Sequence, residues 1–290
     1  MKQAKQPAGK PKFSAFSAGG KIPAHFYGAN GFPVECYSPL LDSLSQRFDI
    51  NSLWHRPLWP GQQSVNPATN WQHYATDLIK FLESRKSGPV VAIGHSMGAT
   101  ATVMAALQKP KLFSRLVLIE PVIQPTWKVW LTNHLPKALL HRMEPVKSTL
   151  LTPEKWKNEA QATQFYQNHA AYKRIPPKHL SIMVESMVEP VSRQSEEVCL
   201  RYSRGWEATN YMGLRQVTQA FMKLKVPSVI IQGKPNLFCD RKLFNKIKQA
   251  KPDNVYFEEH DYGHLIPLEA PELTRQLIIS GLNQLKTQQN

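Results

Sequence analysis

Two patterns of apolar and polar positions alternate along the first 122 residues: continuous apolar runs and amphipathic segments. The runs "PVVAIG" and "SRLVLIEPV" are apolar at nearly every position, which is typical of strands buried on both faces of a sheet. In contrast, "WQHYATDLIKFLESRK" places Trp71, Tyr74, Leu78 and Leu82 on one side of an amphipathic helix. Further strands are predicted over "KFSAFSA", "IPAHFYGANG" and "DINSLWHRP", and a helix over "YSPLLDSLSQRF".

This alternation stops near Gln124 and resumes after Trp206. The pattern over residues 124–206 predicts a series of consecutive helices that are separated by prolines. The remainder predicts, in order, the helix "YMGLRQVTQAFMKL", the strand "PSVIIQG", the helix "DRKLFNKIKQA", the strand "NVYFEEHDYGH" and the helix "PELTRQLIISGLNQL". We therefore expect an α/β fold, a mostly parallel sheet with helices on both faces. Its core comprises residues 13–123 and 207–290, and a helical cap, 124–206, is inserted.

The distribution of charged residues limits the classes of molecule that the protein is expected to bind. The formal net charge is +15, yet lysine and arginine are scattered from Lys2 to Lys286. The chain has no zinc finger, RNP motif or long basic helix, so direct nucleic-acid binding is disfavoured. A weak contact with an anionic membrane surface stays open, as does the oligomeric state.

The first residues of the chain and its cysteines indicate the cellular compartment of the protein. "MKQAKQPAGKPK", residues 1–12, carries four lysines but no apolar run, which predicts a disordered basic tail rather than a secretion signal. No apolar stretch reaches the length of about 18 residues that a membrane span needs. Three cysteines without metal or disulfide spacing indicate free thiols in a reducing compartment. We expect a cytoplasmic protein with no metal and no organic cofactor.

The stretch "VVAIGHSMGATATVMAA" is the first candidate for chemistry. It contains G-x-S-x-G between an apolar strand and a helix of small residues, which is the context of a nucleophile elbow. Gly94 and Gly98 leave room for a sharp turn that holds the Ser96 hydroxyl outward. A serine hydroxyl becomes a good nucleophile only with a base beside it. An ordinary strand-to-helix turn is the alternative.

Together with this elbow, "HFYGANGFP" and "DYGHLIPLEAPE" resemble the α/β-hydrolase superfamily, from about Phe13 onward. The resemblance implies that Ser96 is the nucleophile and His264 its base. It also implies an oxyanion hole made by the backbone N–H groups of Met97 and Asn30, with Ala29 as the second choice for the latter. His260 is expected to end a strand and His95 to be a structural turn residue.

The acid of the triad is less simple to place. In most of the superfamily the acid follows the strand that corresponds to the predicted strand "PSVIIQG", and at that position this chain has Asn236. An amide carries no charge with which to stabilise an imidazolium. Glu120, at the end of "LVLIEPV", is the expected acid, similar to some members of the haloalkane dehalogenase branch. Asp240 is the alternative, although it resembles a helix N-cap. A further alternative is that Glu120 has only a structural role and holds the start of the cap in place.

The resemblance implies hydrolysis of a carboxylic ester with an apolar acyl group through an acyl-enzyme. A thioesterase, a lactonase or a C–C hydrolase with the same triad is an alternative, and so is a ligand-binding protein without turnover. Dehalogenase and epoxide hydrolase chemistry is disfavoured, because the members that resemble those enzymes have aspartate where this chain has Ser96. Candidates for lining the substrate pocket are Ala29, Arg56, Trp59, Trp127 and Trp130. A buried arginine that holds its loop is the alternative role for Arg56.

Overall fold

The computed structural model describes residues 11–61 and 64–287. The predicted tail, 1–12, lies outside the described residues except for its last two positions. The strands of the described part are β1 (Phe13–Phe16), β2 (Ile22–Tyr27), β3 (Phe48–Leu53), β4 (Val90–His95), β5 (Phe113–Ile119), β6 (Lys155–Trp156), β7 (Val188–Pro190), β8 (Val198–Leu200), β9 (Ser228–Gln232) and β10 (Val255–Glu258).

From β2 onward, the helices of the same part alternate with the strands, except between β5 and β9. They are α1 (Ser38–Leu44), α2 (Trp71–Arg85), α3 (Met97–Gln108), α4 (Thr126–His134), α5 (Lys137–Leu140), α6 (Val146–Leu151), α7 (Glu159–Asn168), α8 (Pro177–Met187), α9 (Arg204–Met212), α10 (Thr218–Lys223), α11 (Arg241–Ala250), α12 (Ile266–Glu269) and α13 (Pro271–Thr287). None of these helices is both long and apolar enough to cross a bilayer.

The central sheet confirms the predicted α/β fold. In the described part it has seven strands in the order β1-β3-β2-β4-β5-β9-β10, and only β1 runs antiparallel to its neighbour. Ile93 and Val117 face one core, whereas Ala92 and Leu116 face the other. Helices α1 and α13 cover the first face, and α2, α3, α10 and α11 cover the second. Because both faces are buried, the central strands are apolar throughout.

Two local predictions are wrong. The segment between β5 and β9 is not purely helical, because β6, β8 and β7 form a three-stranded antiparallel sheet within it. These strands are two or three residues long, too short for an alternating pattern to show in the sequence. The helix predicted over 211–224 is divided at Gly213, where a Cβ would lie 2.9 Å from the Asn70 Cα. The boundaries of the core and cap stay a prediction.

Three connections begin at the carboxyl ends of the parallel strands and therefore lie at the same end of the sheet. The turn after β4 leads directly into α3, and Gly98 lets this helix approach β2, since a Cβ there would lie 2.2 Å from the Tyr27 oxygen. The chain after β5 enters the inserted segment, and the chain after β10 enters the loop that carries His264. The carboxyl ends of parallel strands are where α/β folds usually bind ligands.

Candidate active site

Ser96 occupies the sharp turn between β4 and α3. Its backbone has φ 55° and ψ −120°, which is an unusual conformation for a residue with a side chain. The Ser96 N–H donates to the Ile119 oxygen at 2.9 Å, so the end of β5 holds the turn in place. This strained backbone, together with the apolar β4 before it and α3 after it, matches the geometry of a nucleophile elbow.

His264 joins the serine to a carboxylate. Its Nε2 lies 2.8 Å from the Ser96 Oγ, and its Nδ1 lies 2.9 Å from the Glu120 Oε2. A carboxylate only accepts hydrogen bonds, so Nδ1 carries the proton and Nε2 is free to accept from the serine. The Phe238 ring packs on the imidazole with centroids 4.3 Å apart, which fixes the plane of the ring. The structure therefore brings together the three residues that the sequence singled out.

Glu120 is completely buried, and N–H donors surround its carboxylate. Oε1 accepts from the Gly233 backbone N–H and from Gln232 Nε2, the latter at 2.7 Å. Oε2 accepts from Asn236 Nδ2 at 2.7 Å as well as from His264. Such donors offset the cost of burying a charge. Asn236 thus stands where the superfamily usually has its acid, but here its amide donates to the carboxylate of Glu120, the residue that follows β5.

Asp240, the alternative acid, has another role in the structure. Its carboxylate accepts from the Leu243 N–H at 2.9 Å and so caps the start of α11. This is the N-cap that the sequence pattern indicated.

Two backbone N–H groups are available beside Ser96. Within the described part of the chain, the N–H groups of Met97 and Asn30 have no acceptor, and both residues line the same cavity as Ser96. The Ala29 N–H, by contrast, donates to the Tyr37 hydroxyl at 3.0 Å. The geometry therefore favours Asn30 over Ala29 as the second donor of an oxyanion hole.

The Asn30 side chain fastens this loop to the inserted segment. Its Nδ2 donates to the Glu207 backbone oxygen at 2.9 Å, and its Oδ1 accepts from the Tyr202 hydroxyl and from Asn210 Nδ2, both at 3.0 Å. Because three hydrogen bonds hold the side chain, the Asn30 backbone is held in one position. Nothing in the sequence pattern around Asn30 pointed to these partners.

His95 connects the same loop to the loop of His264. It is fully buried, and burial, with the nearby His264, lowers its pKa to about 3, so its ring is neutral. Its Nε2 lies 2.8 Å from the His264 backbone oxygen, which can only accept, so Nε2 carries the proton. Its Nδ1 must then accept from the Tyr37 hydroxyl, 2.9 Å away. The hydroxyl in turn accepts from Ala29.

These bonds form one directed chain, which we call the elbow relay: Ala29 N–H to Tyr37, Tyr37 to His95, and His95 to the His264 carbonyl. It ties together the loop of Asn30, the elbow and the loop of His264. The sequence indicated only a turn residue at His95. Its two partners lie 58 and 169 positions away along the chain, so no local pattern could reveal them.

A cavity of about 170 Å³ opens at Ser96. Its lining is mostly apolar and comes from the ends of the central strands, from the start of α2, from α4 to α6 and from α9. It includes Trp71, Val122, Leu131, Leu140, Val146 and Met212. Among the described residues, no three histidine, cysteine or acidic side chains cluster as metal ligands would.

Of the five residues predicted to line the pocket, only Trp127 does so. Arg56 pairs instead with Asp77, its Nη2 lying 2.8 Å from Oδ1, which matches the alternative of an arginine that holds its loop. Trp59 is bound to the Trp54 oxygen through its indole N–H. Trp130 is directed outward, 59% exposed, and Ala29 packs in the core below the site. Residue type alone could not show these orientations.

Tyr37→Phe tests whether the elbow relay stabilises the site. Removal of the hydroxyl leaves the Ala29 N–H and the His95 Nδ1 buried without a partner, so the free energy of unfolding in urea should fall by about 1–3 kcal/mol. The control is Tyr27→Phe, because the Tyr27 hydroxyl is equally buried but has no hydrogen-bond partner among the described residues. That variant should be at least as stable as the parent. Equal losses in the two variants would contradict the relay.

Comparison with known proteins identifies the family of the chain. The sequence pattern of the alpha/beta hydrolase family matches residues 24–277. The uncharacterized hydrolase YugF of Bacillus subtilis is 24% identical over 259 residues, covering 88% of this chain and 86% of YugF. A probable alcohol acetyltransferase of Wickerhamomyces anomalus is 25% identical over 264 residues, covering 82% and 74% respectively. The peroxisomal alpha-beta-hydrolase Lpx1 of Saccharomyces cerevisiae superposes with a TM-score of 0.76 at 16% identity, covering 97% of this chain and 91% of Lpx1. The protein described here belongs to the alpha/beta hydrolase family.

Proposed function

We propose that the protein is a serine hydrolase that cleaves a carboxylic ester with an apolar acyl group. The observation that carries this proposal is the hydrogen-bonded series Ser96, His264 and Glu120 beside two unoccupied backbone N–H groups. Nucleophile, base, orienting acid and oxyanion donors are the parts that acyl transfer through a serine requires.

In the acylation step, the Ser96 Oγ attacks the ester carbonyl while its proton passes to His264 Nε2. The carbonyl oxygen becomes an oxyanion, and the N–H groups of Met97 and Asn30 stabilise it. The tetrahedral intermediate then collapses: the bond to the alcohol oxygen breaks, and His264 returns the proton to that oxygen. Water repeats these steps on the acyl-enzyme, which releases the carboxylic acid and restores the serine.

Glu120 acts on the imidazole and not on the substrate. Its hydrogen bond to Nδ1 keeps the tautomer that leaves Nε2 free, and its charge stabilises the imidazolium formed in each half-reaction. Gln232, Gly233 and Asn236 fix the carboxylate from the other side. This arrangement performs the task of a triad acid from the end of β5.

The cavity supports an apolar acyl group. Leucine, valine, methionine and tryptophan side chains form most of its wall, and each methylene that they remove from water contributes about 0.8 kcal/mol to binding. Thioesters, lactones and C–C bonds are cleaved by the same residues with other leaving groups. They therefore belong in the substrate panel that tests the proposal.

Ser96→Ala tests the nucleophile. The wild-type chain should react with a fluorophosphonate probe and release p-nitrophenol from esters of short and medium acyl length. The variant should lose probe labelling and fall to background hydrolysis, because no other serine hydroxyl in the described part of the chain is hydrogen-bonded to a histidine ring. Ser84→Ala, at an exposed serine of α2, is the control and should behave as wild type. A wild-type chain that neither labels nor turns over any member of the panel would identify a binding protein instead.

Glu120→Gln tests the acid. Without the charge, and with an amide that can donate to Nδ1, the imidazole loses its working tautomer, so kcat should fall about 10³–10⁴-fold. Asp240→Asn is the matched control: it should reduce stability by no more than about 1 kcal/mol through the α11 cap and leave kcat close to that of wild type. The reverse order of the two effects would assign the acid to Asp240.

A further inference from the structure

Exposed apolar side chains are concentrated in one segment of the chain. Eleven large apolar side chains are exposed in the described part of the chain, and six of them lie between residues 127 and 151: Trp127, Trp130, Leu139, Met143, Leu150 and Leu151. We call this region, formed by α4 to α6, the 127–151 surface. Single exposed apolar residues are common in soluble proteins, but a concentration of them indicates an interaction surface.

The two tryptophans are the most informative members. Trp127 and Trp130 are three positions apart on α4, so they share one face of the helix, and they are 66% and 59% exposed. The Trp130 ring stacks on His134 with centroids 4.5 Å apart. Indole rings are apolar in body and polar at one edge, which is why tryptophan is enriched where hydrocarbon meets water at a bilayer surface.

The charge of the same segment is strongly one-sided. Residues 126–151 contain four cations, Lys128, Lys137, Arg142 and Lys147, against the single acid Glu144, a net charge of +3. None of the four cations forms an ion pair with a described residue. Arg142 and Lys147 also line a groove with His141, Leu150 and Leu151. Cations beside leucines suit a partner with negative groups next to hydrocarbon.

The cavity at Ser96 opens beside this surface. Trp127 and Met143 belong both to the cavity lining and to the exposed set, and Leu237 completes the apolar rim at 54% exposure. A molecule held against the surface by its apolar part is therefore next to the cavity entrance.

We propose that the 127–151 surface binds the surface of an anionic phospholipid bilayer. The tryptophans and leucines enter the headgroup region, and the four cations pair with lipid phosphates. Charge complementarity decides against a second copy of the chain as the occupant, because two such surfaces would place a charge of +3 against +3 at the contact. The binding does not depend on the proposed hydrolysis, since no catalytic group takes part in it.

Vesicle sedimentation tests the proposal, in a Ser96→Ala background so that no lipid is consumed. The chain should bind vesicles of phosphatidylglycerol and phosphatidylcholine at least tenfold more tightly than phosphatidylcholine alone, and added salt should weaken the binding. The double variants Trp130→Ala/Leu151→Ala and Lys137→Glu/Lys147→Glu should each lose at least tenfold in affinity. Brominated lipid should quench tryptophan fluorescence, and Trp127→Phe/Trp130→Phe should remove that quenching.

Matched controls separate this surface from the general charge of the chain. Leu107→Ala/Val191→Ala and Lys80→Glu/Lys111→Glu alter exposed residues outside the 127–151 surface. The first pair also removes two exposed apolar side chains, and the second makes the same change of charge. They should bind almost as the parent does. Absence of vesicle binding, equal binding to neutral vesicles, or equal losses in the control pairs would overturn the proposal. A dimer in size-exclusion chromatography that Trp130→Ala dissolves, without vesicle binding, would assign the surface to a second copy.

Discussion

The arrangement of the site depends on one buried carboxylate. Glu120 has no contact with water, so its charge must be balanced by the protein, and an unpaired carboxylate there would cost several kcal/mol. Its donors come from the end of β9, from the turn after β9 and from the His264 loop. Every one of these segments must be in place before the charge is satisfied. The carboxylate therefore fixes both the position of the His264 ring and the proton on its Nδ1.

This constraint explains why backbones approach closely around the site. A Cβ at Gly233 would lie 2.8 Å from the backbone oxygens of Tyr262 and Gly263, so only glycine lets the turn after β9 reach both the carboxylate and the histidine loop. The Lys234 N–H then donates to the Tyr262 oxygen at 2.8 Å. Glu120 itself has φ 48°, an unusual value that turns its side chain toward this junction.

A second network links the inserted segment to the core. Arg204 and Glu207 form a buried ion pair with Nη1 and Oε2 2.6 Å apart, and Arg204 also donates to the Tyr166 hydroxyl. Burial raises the pKa of Glu207, and the guanidinium opposes this shift. The same α9 contributes Asn210 and the Glu207 carbonyl, which hold the Asn30 side chain. The loop of Asn30 thus rests on the elbow relay from one side and on α9 from the other.

Sequence reasoning could find the parts of this site that are local. The apolar runs of β4 and β5 predict a parallel sheet, which the structure confirms, and the glycines around Ser96 predict a sharp turn. It could not find contacts that depend on distant residues, such as the amide of Asn236 on Glu120 or the three partners of Asn30. Arg56 shows the same limit, because its partner Asp77 belongs to another element. The short strands β6 to β8 left no periodic signal.

Glu120 accepts a hydrogen bond from the Nδ1–H of His264, and proton NMR of the imidazole tests this bond most directly. With histidine labelled by ¹⁵N, the His264 Nδ1–H should give a resonance far downfield, as a proton held between imidazole and carboxylate does. This resonance should persist in Asp240→Asn and be lost in Glu120→Gln. A resonance that survives in Glu120→Gln and disappears in Asp240→Asn would contradict this assignment.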